Sequence, residues 1–126
     1  MMKNYLHSDL TDKIIRCFYT VYNSLGYGFL ERVYENSLCI ELKRAGLDVK
    51  SQYPISVFFR DELVGEYFAD MIVDNCVIIE LKACETLNKL HENQLVNYLK
   101  ATEIEVGLLL NFGKKPEIKR KIYTNR

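Results

Sequence analysis

Val77-Ile78-Ile79 runs into Glu80-Leu81-Lys82 without a polar break, and that segment constrains the fold more than any other. β-Branched residues with no polar alternation mark a strand buried on both faces, at the centre of a covered sheet. Side chains alternate along a strand, so Glu80 and Lys82 share one side while Ile79 and Leu81 enter the opposite layer. A carboxylate at the end of such a strand is costly to bury unless something compensates it, and a cation does so.

A second carboxylate lies within reach. Asp70 closes Leu63-Val64-Gly65-Glu66-Tyr67-Phe68-Ala69, a strand pattern, and Asp74-Asn75 is a turn signal before the Cys76–Ala83 strand. Whether Asp70 meets Glu80 depends on register. With Asp74 and Asn75 alone in the loop, Asp70 lies opposite Ile79 and faces away. With Asp74, Asn75 and Cys76 in the loop, it lies opposite Glu80. The second arrangement joins two carboxylates and an ammonium, a set suited to holding a divalent cation beside an activated water.

The remaining chain supplies the scaffold. Ser8 or Asp9 is placed to cap a first helix with Leu10, Ile14, Cys17, Phe18, Val21 and Leu25 at helical spacing, broken by Gly26-Tyr27-Gly28. A second helix is expected from about Phe29 to Arg44, with Leu30, Val33, Tyr34, Leu38, Leu42 and Ala45 inward and Gly46 closing it. Val49–Phe59 and Glu62–Ala69 are expected strands joined at Arg60-Asp61, Pro54 placing an edge or a bulge in the first. Glu85–Ala101 follows as a third helix, then a buried strand Val106–Phe112; Glu117–Tyr123 fits either a strand or a short helix. Helices, a three-strand antiparallel meander, and a helix crossing to a further strand make an α/β fold with a central mixed sheet.

At 126 residues, 48% of them apolar, the chain has material for one domain over 1–126. It contains no apolar stretch of membrane-spanning length and no hydrophobic leader, so a cytoplasmic protein without membrane partners is expected. Cys17, Cys39, Cys76 and Cys84 are scattered without C-x-x-C spacing, which points to neither zinc nor disulfides. Lys+Arg and Asp+Glu both number 17, arguing against a broadly basic nucleic-acid surface. Lys114, Lys115, Lys119, Arg120, Lys121 and Arg126 nonetheless crowd the end of the chain, where Lys114 and Lys115 are candidates to track phosphates.

Smaller constellations accompany the central one. Glu31 and Glu35 stand four apart on one side of the second helix, and the glycines before it allow the tight turn that delivers Glu31 toward the strand ends. Gln94 and Tyr98 stand four apart on the third helix, where an inward amide needs partners that a metal site or a nucleic-acid phosphate supplies. His91-Glu92 begins like a zinc-protease helix, but Leu95 occupies the place of the second histidine, which removes that reading.

Asp70, Glu80-x-Lys82 and Gln94-x-x-x-Tyr98, in that order, resemble the PD-(D/E)XK nuclease superfamily, the last pair resembling the Q-x-x-x-Y helix of its RecB-like branch. More narrowly, Gly28-Phe29-Leu30-Glu31-Arg32-Val33-Tyr34 is similar to the signature of the GxxExxY family of small bacterial proteins in that superfamily. The likeness continues through Gly65–Asp70, Ile79–Ala83, Asn97–Ala101 and Leu110–Gly113. The proline that names the superfamily is absent; Ala69 precedes Asp70, at a position that supplies no chemistry.

The resemblance implies a restriction-endonuclease-like core, Asp70 and Glu80 as metal ligands, Lys82 as the water-orienting residue, and Glu31 as a further acidic group. The expected activity is metal-dependent hydrolysis of phosphodiester bonds, in DNA before RNA. Asp70, Glu80 and the Leu81 carbonyl would bind Mg²⁺ or Mn²⁺, with Glu31 at a second position or acting through water. Gln94 joins the catalytic set and, with Tyr98, the nucleic-acid contacts. A chain this short has little surface for base readout, so specificity needs a homodimer, a partner or the form of the substrate. The alternative is an inactive nucleic-acid- or partner-binding module with the same fold.

Overall fold

The computed structural model describes residues 6–124; Arg126 of the basic C-terminal group lies outside them. Helix α1 spans Ser8–Leu25 and α2 Glu31–Arg44, followed by β1 (Val49–Phe59), β2 (Glu62–Val73), β3 (Val77–Lys82), α3 (Lys89–Lys100), β4 (Val106–Phe112) and β5 (Pro116–Ile122). The strands form one sheet in the order β1-β2-β3-β4-β5. β3 and β4 are parallel across the α3 crossover and the other neighbours antiparallel. The C-terminal segment is thus a strand, paired from Val106↔Ile122 to Phe112↔Pro116.

Two apolar layers enclose the sheet. On one side, Ile14, Phe18, Tyr34, Leu38 and Leu42 of α1 and α2 cover Met71, Ile79, Leu81, Leu108 and Phe112. The Tyr34 and Phe112 rings stack at 4.2 Å and Phe18 meets Phe112 edge-on at 4.7 Å. On the other side, Leu95, Tyr98 and Leu99 of α3 pack on Ile55, Ala69, Ile78 and Leu109. A Cβ on Gly107 would lie 2.6 Å from Leu95 Cδ1, so only glycine lets α3 approach β4 this closely.

Several boundaries differ from the sequence expectation, each for a local reason. Neither Ser8 nor Asp9 caps α1: His7 holds the cap position with φ 55°, and Ser8 offers its carbonyl to the Thr11 hydroxyl at 3.1 Å. α2 starts at Glu31 because the Tyr34 hydroxyl donates to the Gly26 carbonyl (2.6 Å) and accepts from the Phe29 N–H (3.2 Å), holding the glycine loop out of the helix. Leu30 (81%) is therefore exposed, as are Val33 and Ala45, and α2 packs mainly through buried Tyr34, Leu38 and Leu42, with Cys39 partly buried beside them. α3 starts at Lys89 rather than Glu85. Asn88 caps it, accepting from the Leu90 and His91 N–H groups, while His91 Nδ1 accepts the Asn88 N–H.

The segment before α3 is pinned to the sheet. Asn111, fully buried, accepts the Cys84 N–H (3.0 Å) and donates to the Cys84 carbonyl (2.9 Å) and Glu117 (2.8 Å), whose Oε1 also accepts the Leu87 N–H (3.0 Å). These bonds fix how the chain leaves β3, immediately after Lys82. At the far end of the β1–β2 hairpin, Arg60 and Asp61 both have positive φ (52° and 65°), as the tight two-residue turn requires. β1 is an edge strand and accommodates Pro54.

Candidate active site

The β2–β3 loop decides the register. The strands pair as Met71↔Ile79, Ile72↔Ile78 and Val73↔Val77, leaving Asp74, Asn75 and Cys76 between them. Asp74 and Asn75 take left-handed φ values of 51° and 54°, residue types that tolerate this region without glycine. The odd-length loop brings Asp70 opposite Glu80. β2 does not close at Asp70 but runs on to Val73, so Asp70 lies inside the strand.

Pairing between β2 and β3 stops one step short of these residues, and the strands fork there. Carboxylates replace the missing ladder bonds: the Asp70 N–H donates to Glu80 Oε2 (2.9 Å) and the Leu81 N–H donates to Asp70 Oδ2 (2.7 Å). The neighbouring pair is irregular as well. Between Ser51↔Met71 and Tyr53↔Ala69, Gln52 stands across from Asp70 with φ 52°. Side-chain alternation is interrupted at the same place, for Ala69 packs in the α3 layer and Met71 in the α1–α2 layer.

Electrostatics at the fork are unbalanced. Glu80 is 6% exposed and Asp70 half-buried. Burial, followed by the Asp70 charge, raises Glu80 to about 8. Asp70 is raised as well, first by burial and then by the charges of Glu35 and Glu31, against the lowering effect of the Leu81 N–H and Lys82. Among the described residues, neither carboxylate forms an ion pair or receives a second hydrogen bond, and Lys82 forms no ion pair. One oxygen of each carboxylate remains available, beside a partly exposed ammonium.

That donor set suits a hard dication. Mg²⁺ binds through one or two carboxylates together with water and substrate phosphate rather than in a full protein cage. Two hard oxygens, one buried and one half-buried, without an ion-pair partner and on carboxylates raised in pKa, fit such an ion, and the Leu81 carbonyl belongs to the same strand end. Glu31 does not extend the pair into a cluster: among the described residues no group of three His, Cys, Asp or Glu converges to hold a metal. It is exposed at the first position of α2, close enough for its charge to raise both carboxylates.

The other candidates divide between two cavities. Gln94 Nε2 donates to the Tyr98 hydroxyl at 3.1 Å, so its partner comes from its own helix rather than from a metal or phosphate. Both line a groove between α3 and the β1–β2 hairpin. Burial, then the charges of Glu80 and Asp70, raises Tyr98 to about 12, which ties the groove electrostatically to the fork. Lys114 lines a separate cavity with Tyr27, Gly28 and Cys84, and its exposed neighbour Lys115 shares the β4–β5 turn. Glu35 and Gln52 complete the surroundings: the Gln52 amide holds Glu35 Oε2 at 3.0 Å and Glu35 is 13% exposed. The i,i+4 spacing from Glu31 hinted at Glu35; nothing in the sequence singled out Gln52.

The sequence matches the model of the PD-(D/E)XK nuclease superfamily over residues 8–121. The chain belongs to that superfamily. No curated protein matches it. Among solved structures, "Crystal structure of SSO0001" is similar with a TM-score of 0.60 at 17% identity, over 95% of this chain and 61% of the other. The chain thus spans less than two thirds of that protein, and the likeness concerns the fold. For a PD-(D/E)XK protein, the five-stranded mixed sheet flanked by helices is a restriction-endonuclease-like α/β fold, and superfamily nucleases generally use divalent metals on nucleic-acid substrates. No helix among the described residues is long and apolar enough to cross a membrane.

Proposed function

We propose that this PD-(D/E)XK domain is a metal-dependent nuclease that hydrolyses phosphodiester bonds of DNA, and that Asp70, Glu80 and Lys82 carry the chemistry. The observation behind this reading is the strand fork: a buried and a half-buried carboxylate without an ion-pair partner, each with an available oxygen, next to a lysine free of ion pairs among the described residues. Burial and neighbouring acidic charges raise both carboxylates, so a cation seated there would relieve a charge the fold itself disfavours.

Asp70, Glu80 and the Leu81 carbonyl would hold Mg²⁺ or Mn²⁺. A cation there, when bound, supplies Lewis acidity toward a phosphate oxygen and eases deprotonation of water. Lys82, on the same side of β3 as Glu80, orients the attacking water and offsets charge developing on phosphorus. Glu31 and Glu35 add negative potential at the helix side of the fork, and Glu31 acts through water. Hydrolysis breaks the bond between phosphorus and O3′, leaving a 5′-phosphate and a 3′-hydroxyl. Gln94 and Tyr98 contact the nucleic acid from the groove, and Lys114 and Lys115 from the β4–β5 turn.

Within the superfamily, the GxxExxY family is the branch we assign. Its motif has a physical reading here, with Gly28 at φ 111° in the loop, Glu31 opening α2, and buried Tyr34 tying the loop down. The four free cysteines suit the reducing cytoplasm. A non-cutting module is the second reading, favoured by the service Asp70 and Glu80 give the fold in binding two strand N–H groups. Incubation of the protein with labelled DNA and RNA, in Mn²⁺ or chelator, separates the two. Metal-dependent products that disappear in Asp70→Asn support the nuclease; retention without products supports the module.

A further inference from the structure

The groove between α3 and the β1–β2 hairpin has a volume of about 770 Å³, in the range of small-ligand sites. Its chemistry is specific. Tyr67, Tyr98 and Phe58 present rings; Asn93, Gln94 and Asn97, one helical stripe at i, i+1 and i+4, present amides. Tyr67 is 49% exposed and Phe58 63%, and the Tyr67 and Tyr98 rings lie 5.8 Å apart at 43°. The Asn93 and Asn97 side chains form no hydrogen bond among the described residues, while Gln94 spends one N–H on Tyr98. Lys100 is the single charged residue among those lining the groove.

Aromatic faces beside neutral amides match the faces and hydrogen-bonding edges of nucleobases, whereas a phosphate-tracking surface would carry several cations. Base faces and Watson–Crick edges are accessible when nucleotides are unpaired and unstacked. In a duplex both are occupied. The zero net charge of the chain agrees, since affinity here cannot come mainly from the backbone.

We infer that the groove is a base pocket that seats an unpaired nucleotide beside the strand fork, so that the substrate is a single strand or a single-stranded end rather than continuous duplex. This rests on the nuclease reading and specifies its substrate class. Tyr67 supplies the stacking face from the hairpin; Asn93 and Asn97 read the base edge from the helix. Ser56, Val57, Phe58 and Tyr67 of the hairpin form one wall of the groove and α3 the other.

The test is fluorescence anisotropy in chelator, where no cleavage occurs, with labelled oligo-dT, oligo-U and a fully paired duplex of the same length. Single strands should bind at least tenfold more tightly than duplex, with DNA and RNA arms reporting which sugar is accepted. Tyr67→Ala should weaken single-strand binding about tenfold, as loss of one stacking partner does, Tyr67→Phe should restore it, and Asn97→Ala should weaken it severalfold. Both positions are exposed, so thermal unfolding should be unchanged. Equal or tighter duplex binding, or unaltered single-strand affinity in both alanine variants, overturns the inference. Cleavage in Mn²⁺ is scored separately: cutting with duplex preference defeats the base pocket alone, and single-strand binding without cutting defeats the nuclease reading alone.

Discussion

Glu80→Gln should stabilise the metal-free protein at neutral and alkaline pH, although it alters a nearly buried residue in the central strand. The glutamine oxygen can still accept the Asp70 N–H that Glu80 Oε2 accepts at 2.9 Å, so the fork stays closed and only the charge is lost. Glu80 rises from its usual 4.5 to about 8 in the fold. A group raised on folding contributes its full stability below its unfolded pKa and loses it as pH climbs through the folded value. Between pH 4.5 and 7 the wild type therefore loses roughly 3 kcal/mol, at about 1.4 kcal/mol per pH unit. The glutamine variant loses none of this. For a chain of this size the difference at pH 7 corresponds to a rise in melting temperature on the order of 10 °C. Thermal unfolding in chelator at pH 5, 7 and 8.5 measures it: the two proteins should nearly coincide at pH 5 and separate as pH increases. Mn²⁺ should narrow the gap by stabilising the wild type through mass action while leaving the variant unmoved. A variant less stable than wild type by the same margin at every pH would refute the reasoning, because Glu80 would then be an accommodated structural group.

Lys82→Ala should abolish Mn²⁺-dependent cleavage while leaving Mn²⁺ affinity, measured by calorimetry, within about threefold, since the lysine acts on water and phosphate rather than as a ligand. Tyr34→Phe removes the hydroxyl that bridges Gly26 and Phe29 and should cost about 1 kcal/mol in denaturant unfolding, because two part-buried backbone groups lose their partner. Gly107→Ala places a methyl 2.6 Å from Leu95 Cδ1 and should destabilise by about 1–3 kcal/mol, as overpacking does.

Long uniform patterns made the architecture legible. Val77-Ile78-Ile79 and Val106–Phe112 identified the buried parallel pair, and the α1 repeat of Ile14, Phe18 and Val21 fixed the helix face. Starts of elements were less legible where a side chain from elsewhere sets them. Nothing local to Phe29 says that Tyr34 will claim its N–H, and nothing local to Glu85 says that Asn111 and Glu117 will hold the chain out of the helix until Asn88 caps it. The central pair was legible only as a choice between two loop lengths, because Asp74 and Asn75 tolerate left-handed φ in either; the pairing of Val73 with Val77 fixes the longer loop. Glu35 was visible only as the i,i+4 neighbour of Glu31, and Gln52 stayed hidden, because their nearness to Asp70 arises from the packing of α2 on an irregular edge strand, a tertiary fact. Gln94 was expected to look outward for a partner, and the i,i+4 geometry of its own helix supplied Tyr98 instead.

Crystals of the protein soaked in Mn²⁺ and measured at the manganese absorption edge test the central claim most directly. The account predicts an anomalous peak bonded to the available oxygens of Asp70 and Glu80, and its loss in Asp70→Asn. A map without that peak, with both carboxylates still held only by the Leu81 and Asp70 N–H groups, would contradict it.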